Sequence, residues 1–269
     1  MTLEKALQMA GIPRLDAEVL LAYTLSKNRT WIMSHGDTEL SADEAITFQT
    51  FCERRKNNEP VSYITQQKEF YGRTFFVDQR VLIPRPSTEM LVELVLDVLR
   101  NHTERILDAD TEIVAAAKVF GNLSDVHTLV DVGTGSGCIA ITLALENPNL
   151  HIIATDASRD ALAVAAINRD LHEVEGSLEL REGNLLQPVE DLTEPFLLVS
   201  NLPYIPSSDV LEADVVDYEP HSALFSGEDG MDALRTLWKQ AQEHPACRGI
   251  VLECRKDQWQ SLLKGYTLR

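Results

Sequence analysis

Apolar and polar positions change rhythm three times along this chain, and each change marks a different kind of structure. From residue 1 to about 65 the apolar residues recur at helical spacing. The run from Leu15 to Leu25, just after Pro13, predicts one helix, and a second is predicted after Ser41, a strong N-cap, through Ile46, Phe48 and Phe51. Glu53-Arg54-Arg55-Lys56 reads as the solvated end of that helix, and Asn57-Asn58-Glu59-Pro60 stops it. Residues 1–65 therefore read as a small helix bundle of its own.

From about 66 the pattern shortens. Aromatic and β-branched residues around Gly72 predict a β-hairpin over 69–78. Ile83-Pro84-Arg85-Pro86 is a rigid extended stretch, because each proline restricts itself and the residue before it. Ser87 or Thr88 then serves as a cap for a helix over 89–99. Residues 66–100 form a hairpin and linker helix.

From 128 onward short apolar strands, at 128–132, 151–155, 178–181, 196–200 and 249–253, alternate with helical stretches such as 157–171. That alternation means βαβ units and a mostly parallel α/β sheet with helices on both faces. Residues 101–127 are a long, weakly patterned connection, with a helix predicted at 112–119.

Composition narrows the function. Of 269 residues, 44% are hydrophobic and 25% charged, and no apolar run has the length to span a bilayer. The N-terminus reads as a capped amphipathic helix start rather than a signal peptide, so a cytoplasmic location is expected. The net charge of −18 repels a phosphate backbone and argues against broad nucleic-acid affinity. The four cysteines lack C-x-x-C spacing and read as reduced thiols. None of the seven histidines pairs at metal-ligand spacing with a carboxylate, so no metal is expected. No G-x-S-x-G elbow suggests hydrolysis.

Three strand ends carry the chemistry. Val130-Asp131-Val132 runs into Gly133-Thr134-Gly135-Ser136-Gly137, a strand-to-helix turn whose glycines admit a ligand close to backbone N–H groups. The spacing is G-x-G-x-G, and an acid two residues before it suits a ligand with an ammonium group rather than a pyrophosphate. Asp156 ends the next strand, where a carboxylate accepts both hydroxyls of a ribose or caps the following helix. Asn184 is either a contact for an adenine edge, with the Leu185 N–H as a second contact, or a turn asparagine. Asn201-Leu202-Pro203-Tyr204 is the most specific element. The Asn201 side-chain oxygen and the Leu202 carbonyl are spaced to hold both hydrogens of one NH2 group, and Tyr204 offers a flat face to a planar group. Together these segments point to methyl transfer from S-adenosylmethionine to nitrogen.

With these residues in view, the chain resembles the release-factor glutamine methyltransferases of the HemK/PrmC type. The resemblance rests on Arg14-Leu15-Asp16-Ala17-Glu18, Glu59-Pro60-Val61-Ser62-Tyr63-Ile64, Glu69-Phe70-Tyr71-Gly72, Leu82-Ile83-Pro84-Arg85-Pro86-Ser87-Thr88-Glu89, the glycine turn from Asp131, the Asn201 to Tyr204 motif, Tyr218-Glu219-Pro220 and Gly227-Glu228-Asp229-Gly230. It implies a helical domain (1–65) that docks a release factor, and a catalytic domain (101–269) of class I methyltransferase fold. It implies S-adenosylmethionine held by Gly133, Thr134, Gly135, Ser136, Gly137, Asp156, Asn184, Leu185 and Asn201, and substrate held by Asn201, Leu202, Pro203 and Tyr204. Asn201 and Tyr204 would be catalytic. The implied reaction methylates the glutamine of the Gly-Gly-Gln loop in release factors, and the protein is expected to be a monomer with no membrane or direct nucleic-acid partner.

The chain departs from the family pattern in places. Leu202 stands where the family usually has proline, Ser87 where it has glutamate and Asn184 where it has aspartate. The family fold closes with an antiparallel strand pair, and only one such strand has room to begin at 265–269. Two other readings exist. The motif Asn-Leu-Pro-Tyr also resembles ribosomal RNA dimethyladenosine transferases, against which the net charge and the 83–89 segment argue. A protein-binding module that has kept the fold without turnover is the other.

Overall fold

The computed structural model describes residues 1–108 and 112–264. The chain divides into two compact units, one of residues 1–67 with 211–218, the other of residues 68–210 with 219–269.

The first unit is helical. It holds α1 (Leu3–Met9), α2 (Arg14–Thr24), α3 (Arg29–Ser34), α4 (Ala42–Lys56) and α5 (Val61–Thr65). The predicted cap at Ser41 is a full capping box: its hydroxyl accepts from Glu44 N, and the Glu44 carboxylate accepts from Ser41 N. Leu3, Leu20, Leu21, Ile32 and Phe48 make the buried core. The residues 211–218, with the short helix α9 (Ala213–Val216), also belong here. Tyr218 Oη donates to the Asn57 carbonyl at 2.7 Å. Nothing local in the sequence marks that membership.

The second unit opens with a hairpin, β1 (Gln67–Phe70) and β2 (Arg73–Phe76). Its two turn residues, Tyr71 and Gly72, both have positive φ (53° and 70°), the signature of a tight hairpin turn matched to strand twist. A turn of 3₁₀ helix at Pro86–Thr88 leads into α6 (Glu89–Asn101). The remaining helices are α7 (Cys138–Glu146), α8 (Arg159–Leu171), α10 (Asp232–Glu243) and α11 (Lys256–Lys264).

Seven strands form the main sheet: β3 (Ile106–Asp108), β4 (Ile113–Val119), β5 (Thr128–Val132), β6 (His151–Asp156), β7 (Leu178–Glu182), β8 (Phe196–Ser200) and β9 (Cys247–Arg255), in the order β3-β4-β9-β8-β5-β6-β7. The last five in the chain run parallel. Strand order reverses at β5, which has β6 on one side and β8 on the other, and such a switch point opens a crevice at the carboxyl ends of the strands. Neighbouring residues serve opposite faces. Leu129, Leu197 and Val251 pack with α6 and α7, while Val130, Leu198 and Ile250 pack with α10 and α11.

The helix predicted at 112–119 is instead strand β4. The alanine-rich run Ala115-Ala116-Ala117 has high helix propensity, but β9 offers a full antiparallel partner from Ile113↔Arg255 to Val119↔Gly249, and pairing with burial outweighs local preference. An antiparallel pair, β3 with β4, thus sits at the β9 edge, and it comes from ahead of the glycine turn. The strand expected to begin at 265–269 lies outside the described residues.

Candidate active site

The glycine turn is tied to its neighbour strand by two backbone bonds, Gly133 N and Thr134 N both donating to the Thr155 carbonyl (2.8 and 3.0 Å). Gly133, Gly135 and Gly137 all take positive φ, and Gly137 caps α7 in the left-handed region. A side chain at Gly135 would meet no protein atom within 4 Å, so the turn leaves open space above its backbone. Asp131, the acid before the turn, is fully buried and does not line the cavity. Its Oδ2 accepts from Thr134 Oγ1 at 2.7 Å, and Oδ1 has no hydrogen-bond partner among the described residues. Burial pushes its carboxyl up to about 7, with the nearby Asp156 charge adding to the effect.

Asp156 bridges the tip of β6 and the glycine turn. Its Oδ2 accepts from Gly135 N and its Oδ1 from Ser158 N, both at 2.9 Å. The cap of α8 is Ser158, whose hydroxyl accepts from Ala161 N, so Asp156 is not the helix cap. Burial raises the Asp156 carboxyl and the backbone donors pull it down. Asn184 and Leu185 follow β7 on the same cavity wall. Asn184 is exposed and its carbonyl accepts from Gln187 N at 3.0 Å, so it does close a turn, and Leu185 takes φ 52°.

Beyond β8, Asn201, Leu202 and Pro203 line the cavity. Asn201 Nδ2 donates to Thr88 Oγ1 at 3.0 Å. Neither Asn201 Oδ1 nor the Leu202 carbonyl accepts a bond from any described residue. The Leu202 side chain is buried, and a side chain on Gly133 would come within 2.9 Å of its Cδ2. Tyr204 lies beyond the cavity's lining. Its hydroxyl donates to Glu253 Oε1 at 3.1 Å, and burial followed by the Glu253 charge holds that hydroxyl protonated. The Tyr204 carbonyl accepts from Gln258 Nε2 at 2.8 Å. Gly230, with φ 74°, passes so near that an added Cβ would stand 2.3 Å from the same carbonyl oxygen, which only glycine permits.

Several residues here escaped the sequence reading. Thr88 was expected as a helix cap, but its side chain makes no capping bond and receives Asn201 instead. Glu219, almost wholly buried, accepts from Ile83 N at 3.1 Å and from the Arg85 guanidinium, and so pins the proline-rich stretch to the cavity wall. Asn168, fully buried, accepts from Phe76 N and donates to the Phe76 and Ser136 carbonyls, joining the hairpin to the glycine turn. Glu253 is 1% exposed on β9. A carboxylate set between the apolar run Ile250-Val251-Leu252 and Cys254 was the one signal that could have singled it out.

Of the predicted cofactor residues, Gly133, Thr134, Gly135, Ser136, Asp156, Asn184, Leu185 and Asn201 border one cavity of about 440 Å³, together with Arg80, Arg85 and Thr88, while Gly137 lies behind the turn as the cap of α7 and is not part of the lining. A mostly parallel sheet with a glycine turn after its switch-point strand, an acid at the end of the next strand and Asn201-Leu202-Pro203 after β8 around one cavity defines a class I methyltransferase unit. The fold agrees with the hMettl16 catalytic domain solved in complex with a MAT2A 3′UTR hairpin, at TM-score 0.53 and 13% identity over 93% of this chain and 84% of that one. Residues 2–65 match the PrmC N-terminal domain family and residues 102–216 the methyltransferase small domain family. The release factor glutamine methyltransferase of Koribacter versatilis is 38% identical over 234 residues, 86% of this chain and 75% of its own length. The chain belongs to the release factor glutamine methyltransferase family. A bifunctional methyltransferase of Rickettsia typhi is 36% identical over 90% of this chain, which spans about half of that longer protein (46%). No described helix is long and apolar enough to cross a membrane.

Proposed function

We propose that the protein methylates the side-chain amide nitrogen of the glutamine in the Gly-Gly-Gln motif of release factors, using S-adenosylmethionine. The observation that carries this reading is the pair of unengaged acceptors, Asn201 Oδ1 and the Leu202 carbonyl, on the wall of a cavity also bordered by the glycine turn and Asp156. The cavity has the size and mixed lining of a small-molecule site, and Gly135 leaves it unobstructed. Asp156 is the residue for the ribose hydroxyls, Asn184 and the Leu185 N–H for the adenine edge, and Gly133 to Gly137 for the methionine end. When bound, S-adenosylmethionine supplies an electrophilic methyl group on a sulfonium.

An amide nitrogen is a weak nucleophile because its lone pair is delocalised. Two fixed acceptors on its hydrogens turn the nitrogen toward the methyl and favour charge building on it, so positioning and electrostatics supply the catalysis. Pro203 stiffens the loop that carries them. The Tyr204 hydroxyl, already bound to Glu253, braces the loop from behind. The helical unit is the docking surface for the protein substrate, and Met33 and Ile46, each 63% exposed, are its apolar contact candidates. Charged replacements at both should raise KM for an intact release factor and leave cofactor affinity unchanged.

Mass spectrometry of a release factor incubated with the protein and S-adenosylmethionine tests the reading. One methyl group on the Gly-Gly-Gln glutamine is the expected result. Cofactor turnover with an unmodified glutamine would overturn it.

A further inference from the structure

An asparagine amide has two ends of nearly equal shape and opposite polarity: the oxygen accepts and the NH2 donates. A half-turn of the Asn201 amide would present donors to a substrate that itself offers N–H groups. The site works only in one of the two orientations, and something must select it. The need for selection rests on the proposed function, in which Asn201 Oδ1 receives the substrate amide.

The selection falls to residues far apart in the chain. Asn201 Nδ2 donates to Thr88 Oγ1 at 3.0 Å, and Thr88 is 2% exposed at the mouth of α6. A hydroxyl has one proton, and having accepted from Nδ2 it must direct that proton elsewhere. Glu253 lies next to both side chains: burial raises its carboxyl, and the Thr88, Tyr204 and Asn201 groups beside it draw it part of the way back. Its Oε1 is taken by the Tyr204 hydroxyl, while its Oε2 is buried and has no hydrogen-bond partner among the described residues. While ionised, the carboxylate can only accept, so its open Oε2 is the acceptor left for the Thr88 proton, and the reverse chain, in which Thr88 would donate to Asn201 Oδ1, is disfavoured.

We propose that Thr88 and Glu253 form an orientation lock for the Asn201 amide, and that both are positioning residues for the substrate acceptor pair. Losing the bias of a hydrogen bond to a charged group populates the wrong orientation and should cost roughly 10- to 150-fold in kcat.

Four variants test the lock: Glu253→Gln, which keeps the shape but donates as well as accepts; Thr88→Val, which keeps the shape without the hydroxyl; Thr88→Ser, which keeps the hydroxyl; and Asn201→Ala. The first two should lower kcat with release factor by at least about tenfold, the lower end of the range above. The Kd for S-adenosylmethionine and the thermal midpoint should stay close to those of the parent. Thr88→Ser should restore most of the rate. In the Asn201→Ala background Glu253→Gln should cost nothing further, because no amide remains to orient. If Asn201→Ala is slow while Glu253→Gln and Thr88→Val turn over at the parent rate, the lock is wrong and the amide clamp stands. Costs that add fully with Asn201→Ala overturn the lock as well. If Asn201→Ala itself runs at the parent rate, the clamp reading is the one that fails.

Discussion

The interiors of the two units are built from different material. The helical unit buries Leu3, Leu20, Leu21, Ile32 and Phe48, and its one buried carboxylate, Glu18, is held between Arg14 and Arg29 at 2.9 and 3.0 Å. The catalytic unit buries Asp131, Glu219, Glu253, Asn168, Gln258 and Thr88, and these sit in or beside the walls of one cavity or brace the loops that form them. Burying such groups costs free energy unless each finds partners, so a fold tolerates them where they position something. The helical unit needs only to hold a shape. The catalytic unit must hold atoms at fixed distances, and two buried carboxylate oxygens, Asp131 Oδ1 and Glu253 Oε2, have no hydrogen-bond partner among the described residues.

The sharpest way to break that contrast is at Asn201. Replacing it by alanine removes one of two substrate acceptors, and by analogy with the loss of one preorganised oxyanion donor the methylation rate should fall roughly 100- to 1000-fold. Steady-state kinetics on a release factor, with cofactor affinity measured in parallel, checks this. Leu202→Pro keeps the carbonyl but gives up the side chain packed by Gly133, so a gain in loop rigidity is offset by lost burial.

Asp131 should show the contrast in pH dependence. Its folded pKa, about 7, lies above the unfolded value near 4. The folded state therefore binds the extra proton, and the stability this gives is full below about pH 4 and is lost as pH rises through about 7. Asp156 is shifted the same way, so the measurement is a difference: Asp131→Asn should flatten the fall in unfolding free energy between those pH values, by at most about 4 kcal/mol. Identical pH profiles for parent and variant would remove the buried-charge account.

Asp156→Ala should weaken S-adenosylmethionine binding by about 1–3 kcal/mol, the usual cost of removing a partner from a charged hydrogen bond. Calorimetry reads this directly, and nicotinamide dinucleotides should not bind to either form. The smallest effect belongs to the helical unit. Ser41→Ala dismantles the capping box of α4 and should cost about 1 kcal/mol of stability with cofactor affinity untouched. A loss of cofactor affinity in that variant would blur the division between the units.

By itself the sequence determined what local chemistry controls. Helical periodicity and the Ser41 cap placed α2 and α4, the alternation after 128 gave five parallel strands, and the glycine turn, Asp156 and Asn201 were legible because strand ends and turns have short signatures. Tertiary structure decided the rest. It made a strand of the alanine-rich 113–119 segment, because β9 was there to pair with it. It drew 211–218 into the helical unit. It turned Thr88 from a helix cap into the partner of Asn201, 113 residues away, turned Tyr204 toward Glu253, 49 residues on, and set Glu219 on Arg85 across 134. A side chain's hydrogen-bond partner is chosen by whatever the fold brings within 3 Å or so, and no periodicity along the chain encodes a neighbour that arrives from a hundred residues away.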